Sequence, residues 1–340
     1  MNVLSFRQLR NTLLAVSAML CVGCEVEFSP NAEWKETPVV YCVLDQGDDT
    51  TWVRVEKCYL SEGDIYRYGS VSDSINYPAG SLQVTLLAIK DGQRVDSMDF
   101  TYDVRDHSDG DFAWEQQPVY WCYTRRRLRE DCYYKLVVRR AADGSTLATA
   151  TTNLVTKKNE SDQVVTSPND NTPFGFSINR SYCKIEWRAL NGARLYQPIV
   201  RFYYTVYGDT LFLDLPCNKM VSRPNANTYN INYSREGFLS TLHRYFDGDT
   251  TTKGYPQFFD IFITACNEDL HAYMNSVSSG TNLDQGHEVY TNIKDGEGRN
   301  CLGVFGARRT HIYRRVPGDP SDREGIGLHA LLKEMGVGFI

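Results

Sequence analysis

The sequence lacks the short motifs of the commonest enzyme classes. It contains no G-x-S-x-G of a serine hydrolase and no G-x-x-x-x-G-K-[ST] of a phosphate-binding loop. His287-Glu288 has no second histidine at the spacing of a zinc-protease helix, and the six histidines are scattered. We therefore expect that the protein is not an enzyme and has no catalytic residues. A glycosidase remains the alternative, because its two catalytic carboxylates can lie far apart in sequence and leave no local motif.

The sequence also has no excess of positive charge, and it has few C-x-x-C cysteine pairs and few long apolar runs. The formal net charge is -6, so the chain would repel phosphate backbones, and we expect no nucleic-acid partner. The single C-x-x-C pair, Cys21 and Cys24, would be separated by cleavage of the N-terminal segment, which leaves no zinc site. After Gly23 no stretch approaches the ~20 apolar residues of a membrane-spanning helix.

The N-terminus carries an export signal. Arg7 and Arg10 precede an apolar run from Leu13 to Gly23, which is about half the length of a membrane-spanning helix. A positive start followed by a short apolar run is typical of a cleaved signal peptide, which we assign to residues 1–23.

Cys24 is the predicted site of lipidation. Val22-Gly23-Cys24 resembles the bacterial lipobox, with Cys21 where leucine is usual. We expect Cys24 to carry a diacylglycerol and a fatty acid such as palmitate, and residues 24–36 to form a tether to the outer membrane. The alternative is an ordinary secretory signal with Cys24 as a spare thiol. Glu25 and Glu27 resemble the surface-export signal of Bacteroidota lipoproteins and favour the cell surface, with the periplasmic face left open.

Eight cysteines remain in the exported body. An even number in an oxidising compartment permits disulfides. Cys42 with Cys58 and Cys122 with Cys132 are the candidate pairs, because each pair flanks a predicted turn or lies on neighbouring strands. The alternative is a set of buried free thiols.

The rest of the chain predicts a mostly β protein of two immunoglobulin- or fibronectin-like β-sandwich domains. Short β-branched and aromatic runs separated by Gly/Asp turns recur from Thr37 onward. We place the first sandwich at residues 37–156, a polar linker at 157–172 and the second sandwich at 173–316. The second has inserted helices at 235–246 and 267–277, and residues 317–340 form a tail with a short helix.

Several polar and aromatic groups invite a functional interpretation. Tyr66, Tyr68 and Tyr77 fall in or beside a predicted loop and form a candidate contact loop, because loops on rigid sandwiches carry binding residues. The stripe Tyr196, Phe202 and Tyr204 alternates and is predicted to be core. The run from Arg125 to Arg129 is interpreted as a solvated turn balanced by nearby acids, rather than as a lipid-headgroup site. The acidic turn 45–49 is interpreted in the same way, rather than as a calcium site.

Three stretches together resemble the Bacteroidota lipoprotein family catalogued as domain of unknown function 4249. The stretches are residues 24–28, residues 38–41, and the pair of motifs Asn191 to Tyr196 and Tyr290 to Ile293, the second followed by Gly303 to Ala307. The resemblance implies an outer-membrane lipoprotein, often encoded near TonB-dependent transporters. It implies no catalytic residues.

The expected function is therefore that of a non-enzymatic accessory or docking subunit of an outer-membrane transporter or assembly complex. One alternative is a surface protein that captures glycans or peptides. Another is a fimbrial or surface-polymer subunit, which would need a basic cleavage site near its N-terminus. Residues 25–34 contain no Arg or Lys, which weighs against that alternative.

Overall fold

The computed structural model describes residues 36–58, 72–107, 114–159, 163–168, 175–176, 181–246, 254–279, 289–316 and 328–334. The described residues all lie in one of the two units into which the chain divides, formed by residues 36–59 and 65–340. Within the described ranges the chain forms sixteen strands and four helices.

The strands are β1 (Pro38–Asp45), β2 (Thr50–Lys57), β3 (Leu82–Lys90), β4 (Gln93–Asp99), β5 (Thr101–His107), β6 (Trp114–Tyr123), β7 (Tyr133–Arg140), β8 (Thr146–Asn153), β9 (Val165–Ser167), β10 (Tyr182–Arg188), β11 (Leu195–Val206), β12 (Asp209–Pro216), β13 (Met220–Val221), β14 (Thr228–Ser234), β15 (Gly254–Cys266) and β16 (Leu302–Val316). The helices are α1 (Ser72–Ile75), α2 (Arg235–Phe246), α3 (Glu268–Ser279) and α4 (Leu328–Glu334).

The strands form three sheets, so the mostly β fold class predicted from the sequence is confirmed. The largest has nine strands in the order β12-β11-β15-β16-β1-β2-β6-β5, with β13 also paired to β11. The second has the order β4-β3-β7-β8 and the third β14-β10-β9. Each is built from runs with period-two alternation, which buries one face of a strand and leaves the other polar or half-buried.

Strand β16 joins the two halves of the nine-stranded sheet. It pairs antiparallel with β15 and parallel with β1, where Gly303 lies opposite Val40. Gly303 has a φ of +98°, and a Cβ at this position would overlap the carbonyl oxygen of Val40. Glycine is required here because other residues combine a steric clash with an unfavourable backbone angle.

Two hydrophobic cores lie on one face of the nine-stranded sheet. Along β16, Phe305 and Ala307 belong to the first core, and Tyr313 packs against the second. These odd-numbered residues share one face of a strand with period two. We call this the inner face of the sheet and the opposite side the outer face.

The two cores differ in composition. The first is mainly aliphatic and includes Val40, Leu44, Val53, Val55, Leu86 and Leu136. The second is rich in rings and includes Phe176, Trp187, Tyr196, Phe202, Tyr204, Tyr229, Phe238 and Phe259. The predicted core stripe of Tyr196, Phe202 and Tyr204 is thus confirmed.

The membership of the two cores departs from the predicted domain ranges in several places. Inside the predicted linker 157–172, the short strand β9 pairs with β10, and Val164 and Val165 are buried in the second core. Conversely, Phe305 belongs to the range predicted as the second sandwich, yet it packs in the first core. The division into two domains remains a prediction, because the nine-stranded sheet runs through both halves.

Both helices predicted within the second half are present. Helix α2 buries Phe238, Leu239 and Leu242, the stripe that its sequence spacing predicts. Helix α3 is capped by Asn267, whose side-chain Oδ1 accepts a hydrogen bond from the Leu270 amide at 3.1 Å.

Helix α3 covers part of the outer face. Gly306 of β16 allows this approach, since a Cβ there would lie 2.8 Å from the Cβ of Leu270. On the neighbouring strand the ring of Tyr41 contacts Tyr273 edge-on, with centroids 6.0 Å apart. The covered part of the outer face therefore depends on one small residue in β16.

Hydrogen bonds of buried or half-buried side chains fix α3 and the segment before β16. Asn292 acts as a strand partner for Phe305: its Oδ1 accepts from the Phe305 amide at 2.9 Å and its Nδ2 donates to the Phe305 carbonyl at 2.8 Å. Asp269 accepts hydrogen bonds from the hydroxyls of Tyr290 (2.7 Å) and Thr152 (2.9 Å). Residues 290–293 and residues 303–307 thus meet at a structural junction.

Candidate interaction surface

Part of the outer face, formed by strands β12, β11 and β15, carries a group of aromatic rings around one arginine. We call this group the ring platform; its members are Arg201, Tyr203, Phe212, Phe258 and Phe262. Arg201 and Tyr203 alternate with Phe202 and Tyr204 of the inner face, so they emerge on the opposite side of β11.

Arg201 lies between two rings. Its guanidinium carbon is 4.1 Å from the ring centroid of Phe212 and 4.8 Å from that of Phe262. Its Nε and Nη2 donate to the two carboxylate oxygens of Asp214 at 2.6 and 2.8 Å. This hydrogen bonding raises the pKa of Arg201 above its usual value. The planar cation can stack and form a bidentate ion pair at the same time, which a lysine cannot do.

Tyr203 connects the platform to a buried acid. Its ring lies 4.6 Å from that of Phe258 and 6.0 Å from that of Phe212. Its hydroxyl donates to Oδ2 of Asp260 at 3.3 Å. Asp260 is buried, and Arg314 of β16 lies 3.7 Å from the same oxygen. The platform is thus held by specific polar contacts, which makes it a preorganised surface.

A second aromatic group lies at the far side of the same sheet. Trp52 and Trp121 are directly opposite each other on β2 and β6, with ring centroids 6.4 Å apart. The Arg105 guanidinium stacks over Trp52 at 4.6 Å. Exposed tryptophan and arginine are enriched at binding hot spots, so this pair is a secondary candidate.

The residues predicted as a contact loop do not form one in the described part of the structure. Tyr66 and Tyr68 lie outside the described residues, as does the predicted lipidation site Cys24. Tyr77 is buried in the first core, and its hydroxyl donates to Glu36 at 3.0 Å. Burial raises the pKa of Tyr77. Its assignment to a contact loop is therefore wrong, because the ring packs and the hydroxyl is satisfied internally.

The two predicted disulfides are absent, and all eight cysteines of the body are thiols. Cys42 lies opposite Val53 in the β1–β2 ladder, whereas the Cys58 amide donates to the Thr37 carbonyl. The two cysteines are therefore several residues apart along the hairpin, too far for a disulfide. Cys122 and Cys132 are also buried thiols, which fits the alternative that these cysteines act as small apolar residues.

The arginine run is balanced by acids, as predicted. Its first, third and fifth residues pair with carboxylates: Arg125 with Asp49, Arg127 with Asp96 and Arg129 with Asp131. In the acidic turn 45–49, Oδ2 of Asp45 accepts a hydrogen bond from Nε of Arg308 at 3.0 Å, so this carboxylate is already paired. Among the described residues, no group of three or more His, Cys, Asp or Glu side chains could hold a metal ion.

The ring platform was not predicted from the sequence. The residues out of phase with the predicted core stripe, Arg201 and Tyr203, were a signal that could have found it.

Among the described residues, no helix is both long enough and apolar enough to cross a membrane. No family model matches the chain, and no curated protein matches it in sequence.

Proposed function

We propose that this chain is a non-enzymatic outer-membrane lipoprotein, anchored through Cys24, that docks on an outer-membrane transporter or assembly complex through the outer face of its nine-stranded sheet. The observation that carries the proposal is the ring platform centred on Arg201. The signal peptide and lipobox supply the membrane anchor. The resemblance to Bacteroidota lipoproteins supports a TonB-dependent transporter as the kind of partner.

The composition of the platform suits a protein partner. Aromatic rings and arginine dominate binding energy at protein interfaces because they bury a large area with few rotatable bonds. Phe212 is 51% exposed and the other three rings are half-buried. In addition, the Asp214 carboxylate neutralises Arg201, so the platform can be covered without leaving an isolated charge.

Affinity purification from detergent-solubilised membranes tests this proposal. The full-length protein should recover a stable outer-membrane partner. The variant Phe262→Ala removes one of the two rings that stack on Arg201, and we expect it to lose most of that partner.

Tyr182→Ala is the matched control. Tyr182 is an exposed aromatic residue on β10 of the three-stranded sheet, away from the platform. The Tyr182→Ala variant should therefore recover as much partner as the unmodified protein. Recovery of the unmodified protein alone, or equal recovery by both variants, would contradict the proposal.

The platform also favours a second candidate, the capture of glycans or peptides at the cell surface. Rings bordered by Arg201 and Asp214 offer stacking faces together with polar groups, the combination found in ligand sites. A thermal-shift screen of the full-length protein with oligosaccharides and peptides would test it. A shift that Phe262→Ala abolishes supports capture, and no shift with any ligand argues against it.

A further inference from the structure

We propose that β12 pairs with β12 of a second copy of this chain, antiparallel across a two-fold axis, and extends the nine-stranded sheet into a dimer. The inference rests on the free edge of the sheet, on the sequence of β12 and on a cavity beside it. It does not depend on the proposed docking function.

Strand β12 is a terminal strand with exposed apolar side chains. It pairs with β11 on one side and, within the described part of the chain, with no strand on the other. Leu211 and Phe212 are 43% and 51% exposed. The opposite end of the sheet, β5, carries the charged residues Asp103, Arg105 and Asp106, which protect an edge from pairing. The β12 edge has apolar residues at its centre instead.

The turn before β12 determines which backbone groups face outward. Tyr207 and Gly208 both have positive φ angles, 51° and 94°, and connect β11 to β12 as a two-residue hairpin loop. In such a hairpin the first residues after the turn form a hydrogen-bonded pair, and bonded and non-bonded pairs then alternate. The amide and carbonyl groups of Thr210, Phe212 and Asp214 therefore point away from β11.

These outward residues make the strand self-complementary. When Phe212 lies opposite Phe212 of the second copy, each Thr210 lies opposite an Asp214. On the inner face, each Leu211 lies opposite a Leu213. Roughly six backbone hydrogen bonds can then form between the copies. A one-residue slip would place Asp209 opposite Asp214 and move the side chains to the wrong faces.

A cavity beside β12 supplies charge complementarity. About 510 Å³ in volume, it lies between β12 and α2 and is lined by Leu213, Leu215, Arg244 and Asp214, the last already paired with Arg201, among others. In the same register Asp209 of the second copy lies opposite Leu215, so its carboxylate approaches the cavity that holds Arg244. Asp209 and Arg244 are both exposed in the single chain. Pairing therefore offers each of them an opposite charge.

The same register accounts for two further features. Tyr207 is 87% exposed at the tip of the hairpin, and it would lie opposite Cys217 of the second copy. Pro216 has no amide hydrogen, and it falls at the outward position where the pairing ends. Both ends of the proposed interface are thus defined by the chain itself.

Cysteine cross-linking of the full-length protein in detergent tests the register. Phe212→Cys should form a disulfide-linked dimer on mild oxidation, because hydrogen-bonded residues on opposite strands have Cα atoms about 5.5 Å apart. Thr210→Cys and Asp214→Cys should each fail alone and cross-link when the two variants are mixed. The wild-type protein, with its native thiols, is the background control.

A proline variant tests the backbone pairing. Thr210→Pro removes an outward amide and leaves the hydrogen bonds to β11 in place, and the side chain of Thr210 is exposed, so the fold should survive. We expect it to raise the dimer dissociation constant, measured by sedimentation equilibrium, by about tenfold or more with little change in melting temperature. Phe212→Pro also removes an outward amide and should weaken the dimer, but it deletes a ring that stacks on Arg201 and should therefore lower the melting temperature as well.

Three outcomes would overturn the inference. One is a wild-type protein that stays monomeric at tens of micromolar concentration. Another is equal cross-linking by all three single-cysteine variants, which would indicate random collision. The third is cross-linking of Phe212→Cys in membranes to a different polypeptide only, which would assign the edge to another protein. None of these results depends on the partner recovery of Phe262→Ala, so the two proposals fail separately.

Discussion

Within the described part of the chain, the outer face of the nine-stranded sheet is covered near β1 and uncovered near β12, although β16 contributes to both regions. At the covered region Gly306 leaves room for α3, and Asn292 and Asp269 secure the surrounding chain. At the uncovered region the side chains pack on one another instead: Arg201 stacks between Phe212 and Phe262 and pairs with Asp214. One sheet face is thus stabilised in two ways, by a helix packed over it near β1 and by side chains packed on one another near β12.

The largest expected effect is on the pairing of β1 with β16, which supports the covered region. Gly303→Ala should lower the free energy of unfolding by about 3 kcal/mol or more, because the new Cβ overlaps the Val40 carbonyl and the φ angle is unfavourable. Urea denaturation measures it. Gly298→Ala is the control, since Gly298 also has a positive φ (+83°) but no atom near its Cβ position. The control should lose only about 1 kcal/mol. Equal losses would show that close approach of β1 is not the reason for Gly303.

The next effect tests the substitute strand partner. Asn292→Ala should destabilise the protein by about 2 kcal/mol, because it leaves the amide and carbonyl of Phe305 without their side-chain partner. Urea denaturation again measures the change in the free energy of unfolding. Asn300→Ala, at an exposed position, should change stability by no more than about 0.5 kcal/mol. If both variants behave alike, the junction does not hold β16.

A smaller effect is expected at the uncovered region. Arg201→Lys should cost about 1 kcal/mol, because a lysine cannot stack between two rings while forming a bidentate pair with Asp214. Arg94→Lys at an exposed position of β4 should be neutral. Thermal unfolding distinguishes the two. A neutral Arg201→Lys would mean that the packing of the two rings does not depend on the guanidinium.

The smallest effect concerns the inner face of β16. Burial lowers the pKa of His311 below its usual value of about 6.5. The unfolded chain therefore takes up the proton first as pH falls, so stability should decrease below about pH 6.5 and level off below the folded-state pKa. Because His311 is partly exposed, we expect less than about 1 kcal/mol. His311→Gln should lack this component between pH 7.5 and 5. Parallel pH profiles for the two proteins would contradict the assignment.

Local patterns predicted much of the fold. The bounds of α2 and the position of α3 follow from the spacing of apolar residues that lie close together in sequence. The core stripe of Tyr196, Phe202 and Tyr204 follows from alternation. These features depend on contacts within about a dozen residues, where propensity and periodicity determine the outcome.

The remaining features depend on contacts that are distant in sequence. The parallel pairing of β1 with β16 joins residues more than two hundred positions apart, and no local pattern specifies it. The platform required the β11–β12 and β11–β15 registers to bring Phe212 and Phe262 to Arg201. Tyr77 failed as a contact residue because polar flanking residues suggested a loop, whereas its ring packs into the first core.

Site-specific photo-cross-linking in intact cells tests the central claim, that the uncovered outer face is the docking surface, most directly. A photoreactive phenylalanine analogue at position 258 of the platform should cross-link to an outer-membrane protein, and the same analogue at exposed position 182 should not. Cross-links of equal intensity from both positions, or none from position 258, would contradict the account.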